Sequence, residues 1–115
     1  MRMPDERRRA CPRLEREAIR ERVEIWAQRL NVRPRRVRVR HMTRKWGSCS
    51  TSGILTLAAD LADHEPGFQD FVIAHELLHL RVPNHGRLFK VLLTAHVPDW
   101  QRYGVARRQP PSARM

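Results

Sequence analysis

The chain has 115 residues, room for one modest core, and its 23 lysines and arginines against 12 aspartates and glutamates give a net charge of +11, with arginine at every basic position except Lys45 and Lys90. No run approaches the length of a bilayer span, the N-terminus lacks the apolar core of a signal peptide, and Cys11 and Cys49 form neither a C-x-x-C pair nor a disulfide framework. The composition therefore excludes membrane insertion and a secreted disulfide scaffold, points to the reducing cytoplasm, and favours polyanionic neighbours.

Residues 1–11 are charged with nothing to pack, so an irregular start is expected. From Pro12, Leu14, Ala18, Ile19, Val23, Trp26 and Leu30 recur at helical spacing, which predicts an amphipathic helix over 13–30 closed by Asn31 and Pro34. In RRVRVRHM the period shortens to two: Val37, Val39 and His41 point inward, while Arg36, Arg38 and Arg40 form a basic outer stripe. TRKWGSCSTSG then reads as a turn or hairpin connection, and ILTLA as a second strand antiparallel to the first. After a polar linker, Asp60 to Gly67, the segment FQDFVIAHELLHL is apolar on nearly every face and reads as a buried helix. Pro83 ends it, Asn84 is the expected N-cap of a further helix through Leu88, Phe89, Leu92 and Ala95, and the basic residues from about 104 onward have the composition of an irregular tail.

The buried helix carries the chemistry. His75 and His79, four residues apart, lie one turn from each other on the same helix face and can turn their imidazole nitrogens to one ion. Glu76 is rotated from His75 by about 100°, so its carboxylate can reach water activated by that ion without being a ligand. This is the H-E-x-x-H arrangement, with the glutamate as general base. Catalytic zinc commonly takes three protein ligands, and His85, beyond the break at Pro83 and Asn84, is the natural third. A buried histidine often does no more than hydrogen-bond a carbonyl. Here, however, two histidines and a glutamate interrupt an apolar helix, where unpaired polar groups are costly, and one metal ion satisfies them together.

The ligand spacing matches the metzincin signature, but Val82 stands where that signature needs glycine, and no Met-turn is available because the only methionine after His85 is Met115. A closer resemblance is to the YgjP-like metallopeptidase family, related to the SprT-like zinc peptidases. It rests on RKWGSCSTSGILTLAADL, FVIAHELLHL, NHGRLF and VPDW in that order, from about Val37 to Trp100. The length and composition predict one domain over 1–115, with its core at about 13–101 and flexible ends at 1–11 and 104–115, and the resemblance implies a compact α+β zincin-type fold. It implies one Zn2+ on His75, His79 and His85, Glu76 as base, and a peptide or protein substrate. Three positions depart from the family: Ala58, Phe71 and Lys90 stand where asparagine, tyrosine and tryptophan are frequent.

Trp46, Gly47, Ser48 and Cys49 fall where an edge strand beside the metal would meet an extended substrate, and they are carried as substrate-binding candidates, with a hairpin anchored by Trp46 as the plainer reading. Cys49 has no evident base and is expected to be a small buried thiol rather than a nucleophile. His41 and His96 are expected to be structural or exposed, and no oxyanion stabiliser is identifiable. Arg36, Arg38 and Arg40 could meet phosphates, and SprT-like relatives are associated with DNA-bound protein substrates. The alternative function is therefore a basic nucleic-acid-associated module in which zinc is structural.

Overall fold

The computed structural model describes residues 12–111. Helix α1 (Pro12–Leu30) is followed by strands β1 (Arg36–Arg40), β2 (Gly47–Cys49) and β3 (Ile54–Ala58). A 3₁₀ turn at Ala59–Asp63 leads to α2 (Pro66–Leu78), α3 (Arg87–His96) and α4 (Trp100–Arg108). The class is α+β, as expected. The irregular ends expected at 1–11 and 112–115 lie outside the described residues, whereas 104–108, also expected to be irregular, belong to α4.

The sheet corrects one expectation. Its order is β1-β3-β2, with β2 antiparallel to β3 and β1 parallel to it, so the Arg36–Arg40 and Ile54–Ala58 strands are not an antiparallel pair. The segment taken for a connection itself contains β2. Three residues of Gly, Ser and Cys are too few and too small to show a period of two, so the strand is invisible to a pattern reading. A turn at Gly53, whose φ of +95 suits glycine, folds β2 onto β3, and Ser50 Oγ accepts the amide N–H of Ile54 at 3.1 Å.

α1 buries Ile19, Val23, Trp26, Ala27 and Leu30, whereas Leu14 is 61% exposed, so its apolar face begins a turn later than the spacing suggests. It docks on α2 through Asp70, whose Oδ1 accepts Trp26 Nε1 at 2.8 Å and Arg22 Nη1 at 2.7 Å. Leu55, Leu57, Leu61, Ile73, Leu77 and Leu78 are fully buried between sheet and helices. His41 was expected on the inner face of its strand, but β1 ends at Arg40 and His41 is exposed. Asn84 does not cap α3: that helix starts after Gly86, and Asn84 Oδ1 accepts the Gly86 N–H at 3.2 Å, tightening the loop instead. α3 buries Phe89 and Leu93, while Leu88 and Ala95 face outward. Among the described residues, no helix is long and apolar enough to cross a membrane.

Candidate metal centre

All residues of α2 from Phe71 to Leu78 are buried, so its two polar members sit inside the core: His75 is 7% exposed and Glu76 3%. Such groups persist there only with partners. The helix stops at Leu78. His79 occupies the C-cap, and the Arg81 and Val82 N–H groups both bond to Leu78 O, at 2.9 and 2.8 Å, so one tight turn closes the helix before Pro83. Val82 is buried in this turn, where its side chain pins the loop to the core. The loop that follows brings His85 to His75 and His79.

His75, His79 and His85 each offer a ring nitrogen, all within 4.8 Å of one another. His79 Nδ1 lies 3.1 Å from Pro83 O. A carbonyl only accepts, so Nδ1 carries the proton, and Nε2 is left with a lone pair facing the cluster. That Nε2 is 3.0 Å from His85 Nε2. Two nitrogens on one tetrahedral zinc at about 2.0–2.1 Å lie about 3.3 Å apart, close to this spacing. The His75 ring lies 5.0 Å from His85 and 5.3 Å from His79, centroid to centroid, and its Nδ1 is buried without a hydrogen bond of acceptable geometry. Phe89 packs against all three rings and holds their orientations. Converging imidazoles, one of them fixed in its tautomer, fit a metal ion of the nitrogen-preferring kind.

The electrostatics agree with neutral ligands. Burial pushes the His75 imidazole below its ordinary value against the pull of Glu76, and His85 is lowered by burial and by the neighbouring imidazoles. Burial alone would raise the Glu76 carboxyl, but His75 and the Arg107 guanidinium outweigh it and hold the group below its usual value. His75 Nδ1 is 3.3 Å from Glu76 Oε2. Because His75 is lowered rather than raised, this is a neutral ring beside a carboxylate and not an ion pair. The formal charge partner of Glu76 among the described residues is Arg107, with Nη2 3.2 Å from Oε2. Sequence reading missed Arg107 because it lies 31 residues away on a segment expected to be irregular.

The edge-strand candidates separate. Gly47, Ser48 and Cys49 line a hollow of about 360 Å³ together with Glu76 and His79. Gly47 is closely approached: a Cβ there would lie 3.2 Å from Glu76 Cγ and 3.1 Å from Leu57 Cδ2, so a neighbour would have to shift to admit one. Trp46 does not line that hollow. It is 2% exposed, packs edge-on against His64 and Phe68, and donates Nε1–H to Gln109 O at 2.8 Å, because a large ring with one donor gains more from the core than from the cleft. The Cys49 thiol is raised by burial and by Glu76, which keeps it protonated and a poor nucleophile. Arg36 and Arg40 are exposed and Arg38 half-buried on β1, at the opposite edge of the sheet from β2.

A family model described as YgjP-like, metallopeptidase domain matches residues 5–105. Among solved structures, the fold is similar to the metallopeptidase zymogen of Methanocaldococcus jannaschii jannalysin, with TM-score 0.66 and 21% identity over 78% of this chain and 95% of that one. It is also similar to the metallopeptidase zymogen of Pyrococcus abyssi abylysin, with TM-score 0.62 and 18% identity over 79% of this chain and 98% of that one. At these identities the likeness is one of fold. No curated protein matches the chain.

Proposed function

The chain belongs to the YgjP-like metallopeptidase family, a family of peptidases, and on that premise we propose that it hydrolyses peptide bonds with one zinc ion held by His75, His79 and His85 and with Glu76 as general base. The observation that carries this reading is the meeting of three imidazole nitrogens within 4.8 Å beside a buried carboxylate.

Zinc bound there would supply the Lewis acidity that makes a water acidic near neutral pH and polarises a scissile carbonyl. The chain supplies the rest. Glu76, held ionised by its neighbours, accepts the proton of the attacking water and passes it to the departing amine. The Nδ1–H of His79 on Pro83 O keeps that ring from rotating. The core packing of α2 fixes Glu76 and His75 in one frame, so neither must be ordered when substrate arrives. β2, as an edge strand beside Glu76, offers backbone groups to an extended peptide, with Gly47, Ser48 and Cys49 forming the wall.

Glu76→Gln tests the reading. It should keep zinc and the fold while lowering turnover by about 10²–10⁴-fold, the usual contribution of a general base. Hydrolysis at the parent rate by that variant would remove Glu76 from the mechanism. A second partner is supported by the exposed Arg36 and Arg40 with Arg38 between them on β1. Retention on DNA should weaken steeply with salt and be lost when all three become alanine. Salt-insensitive binding would exclude this contact.

A further inference from the structure

Helix α4 carries no buried residue, yet it is tied down at both ends. Tyr103 Oη donates to Glu65 Oε1 at 2.9 Å and its ring packs on Phe68 and Phe71, while Gln109 O accepts the Trp46 indole N–H. Gly67 is what lets α4 approach: a Cβ there would collide with the Tyr103 hydroxyl. Between these anchors Arg107 reaches Glu76.

Arg107 also stands between two hollows. On one side is the cleft beside β2; on the other, a cavity of about 200 Å³ lined by Phe71, His75, His85, Phe89 and Trp100. Both contain Arg107 in their walls and both are open space, so α4 flanks the cleft and does not fill it. With one nitrogen on Glu76 and the side chain 31% exposed, the guanidinium retains N–H donors to offer to the cleft. The chain's single tyrosine is engaged by Glu65, and no other cation meets Glu76 among the described residues.

We propose that Arg107 is the oxyanion-stabilising residue of this site. The inference rests on the peptidase reading with Glu76 as base. In the attack, a water O–H bond breaks and its proton goes to the Glu76 carboxylate. The water oxygen bonds to the carbonyl carbon, and the carbonyl π pair moves onto its oxygen. Negative charge thus leaves Glu76 and reappears on the substrate. Arg107, balanced by Glu76 before the step, becomes an uncompensated cation beside the new oxyanion during it. An interaction that strengthens in this way lowers the barrier rather than merely tightening substrate binding.

The test compares the full-length zinc-loaded protein with Arg107→Ala and Arg107→Lys. Turnover in the alanine variant should fall by about 10²–10³-fold with KM nearly unchanged, as when one oxyanion donor is removed. Lysine should restore part of it. In parallel, binding of a phosphinic peptide, which mimics the tetrahedral oxyanion, should weaken by a similar factor. Binding of the matching peptide thiol, which has no such oxygen, should stay within a few-fold. Unchanged or raised turnover in Arg107→Ala, or equal weakening of both ligands, would overturn the assignment. If the parent protein binds the phosphinic peptide yet hydrolyses no peptide, the peptidase reading fails instead, and the ligand comparison still decides whether Arg107 meets the oxyanion.

Discussion

Helices α2 and α4 both deliver a charged side chain to the same place by opposite means. α2 is buried from Phe71 to Leu78, so Glu76 and His75 are expensive exceptions in an apolar element. α4 buries no residue, and Arg107 is one of its several arginines, the others of which lie in solvent. A polar group in a core advertises itself by its cost, whereas a surface arginine costs nothing and gives no sign of what it touches.

The contrast can be broken or sharpened at several points. The largest effect belongs to the ligands on the core side. His79→Ala should abolish both zinc binding and hydrolysis, and should remove the stabilisation that zinc gives the parent, about 2.7 kcal/mol at a free concentration one hundred times the dissociation constant. A calorimetric melt with and without zinc measures it, and an unchanged zinc-dependent shift in the variant would exclude His79 as a ligand. Next comes Gly47→Ala, which sets a methyl 3.2 Å from Glu76 Cγ and from the immovable Thr56 carbonyl. Displacing the base by a few tenths of an ångström should cost about tenfold or more in turnover while zinc affinity holds. Full activity in that variant would show that the base has slack.

On the α4 side, Gly67→Ala should push Tyr103 away and loosen the helix, lowering turnover without loss of zinc, with Tyr103→Phe a milder version. Parent-like kinetics in Gly67→Ala would mean that α4 need not be anchored. Asp70→Ala, remote from the histidines, should destabilise the fold by about 1–2 kcal/mol after allowance for its partial exposure, with kcat intact. A change in kcat there would blur the division between scaffold and site.

The smallest effect is acid lability of the metal-free chain. His75 is lowered on folding, so the unfolded chain binds the extra proton first. Stability should be full above the ordinary histidine value of 6.5 and decline as pH falls through and below it. Glu76 is also lowered, so its contribution is present above the ordinary carboxyl value of 4.5 and is lost at still lower pH. Melting temperatures flat from pH 8 to pH 5 would contradict the burial of a neutral His75.

Much of the fold could be read in advance where one period dominates, as for α1, β1 and α2. What failed were the elements too short or too polar to show one. β2 has three residues, and its existence turns an expected hairpin partner of β1 into a parallel neighbour. α4 has glycine at 104 and arginines on several faces, a composition equally suited to a tail. The same division runs through the site. His75, Glu76, His79 and His85 were visible from spacing and from the turn at Pro83, and the structure brings them together. Trp46 adjoins Gly47 in sequence, which suggests the cleft, but its ring is taken up by the core against His64 and Phe68. Arg107 could have been found only by asking which cation balances a carboxylate 3% exposed, since α2 carries no lysine or arginine.

The most direct test of the central claim is the zinc content of the purified chain after loading and dialysis, compared with His85→Ala. One zinc per parent chain, removed by chelator with a fall in melting temperature and strongly reduced in the variant, is the predicted result. A parent chain that retains no zinc and melts at the same temperature with or without it would contradict the three-histidine site and the hydrolysis built on it.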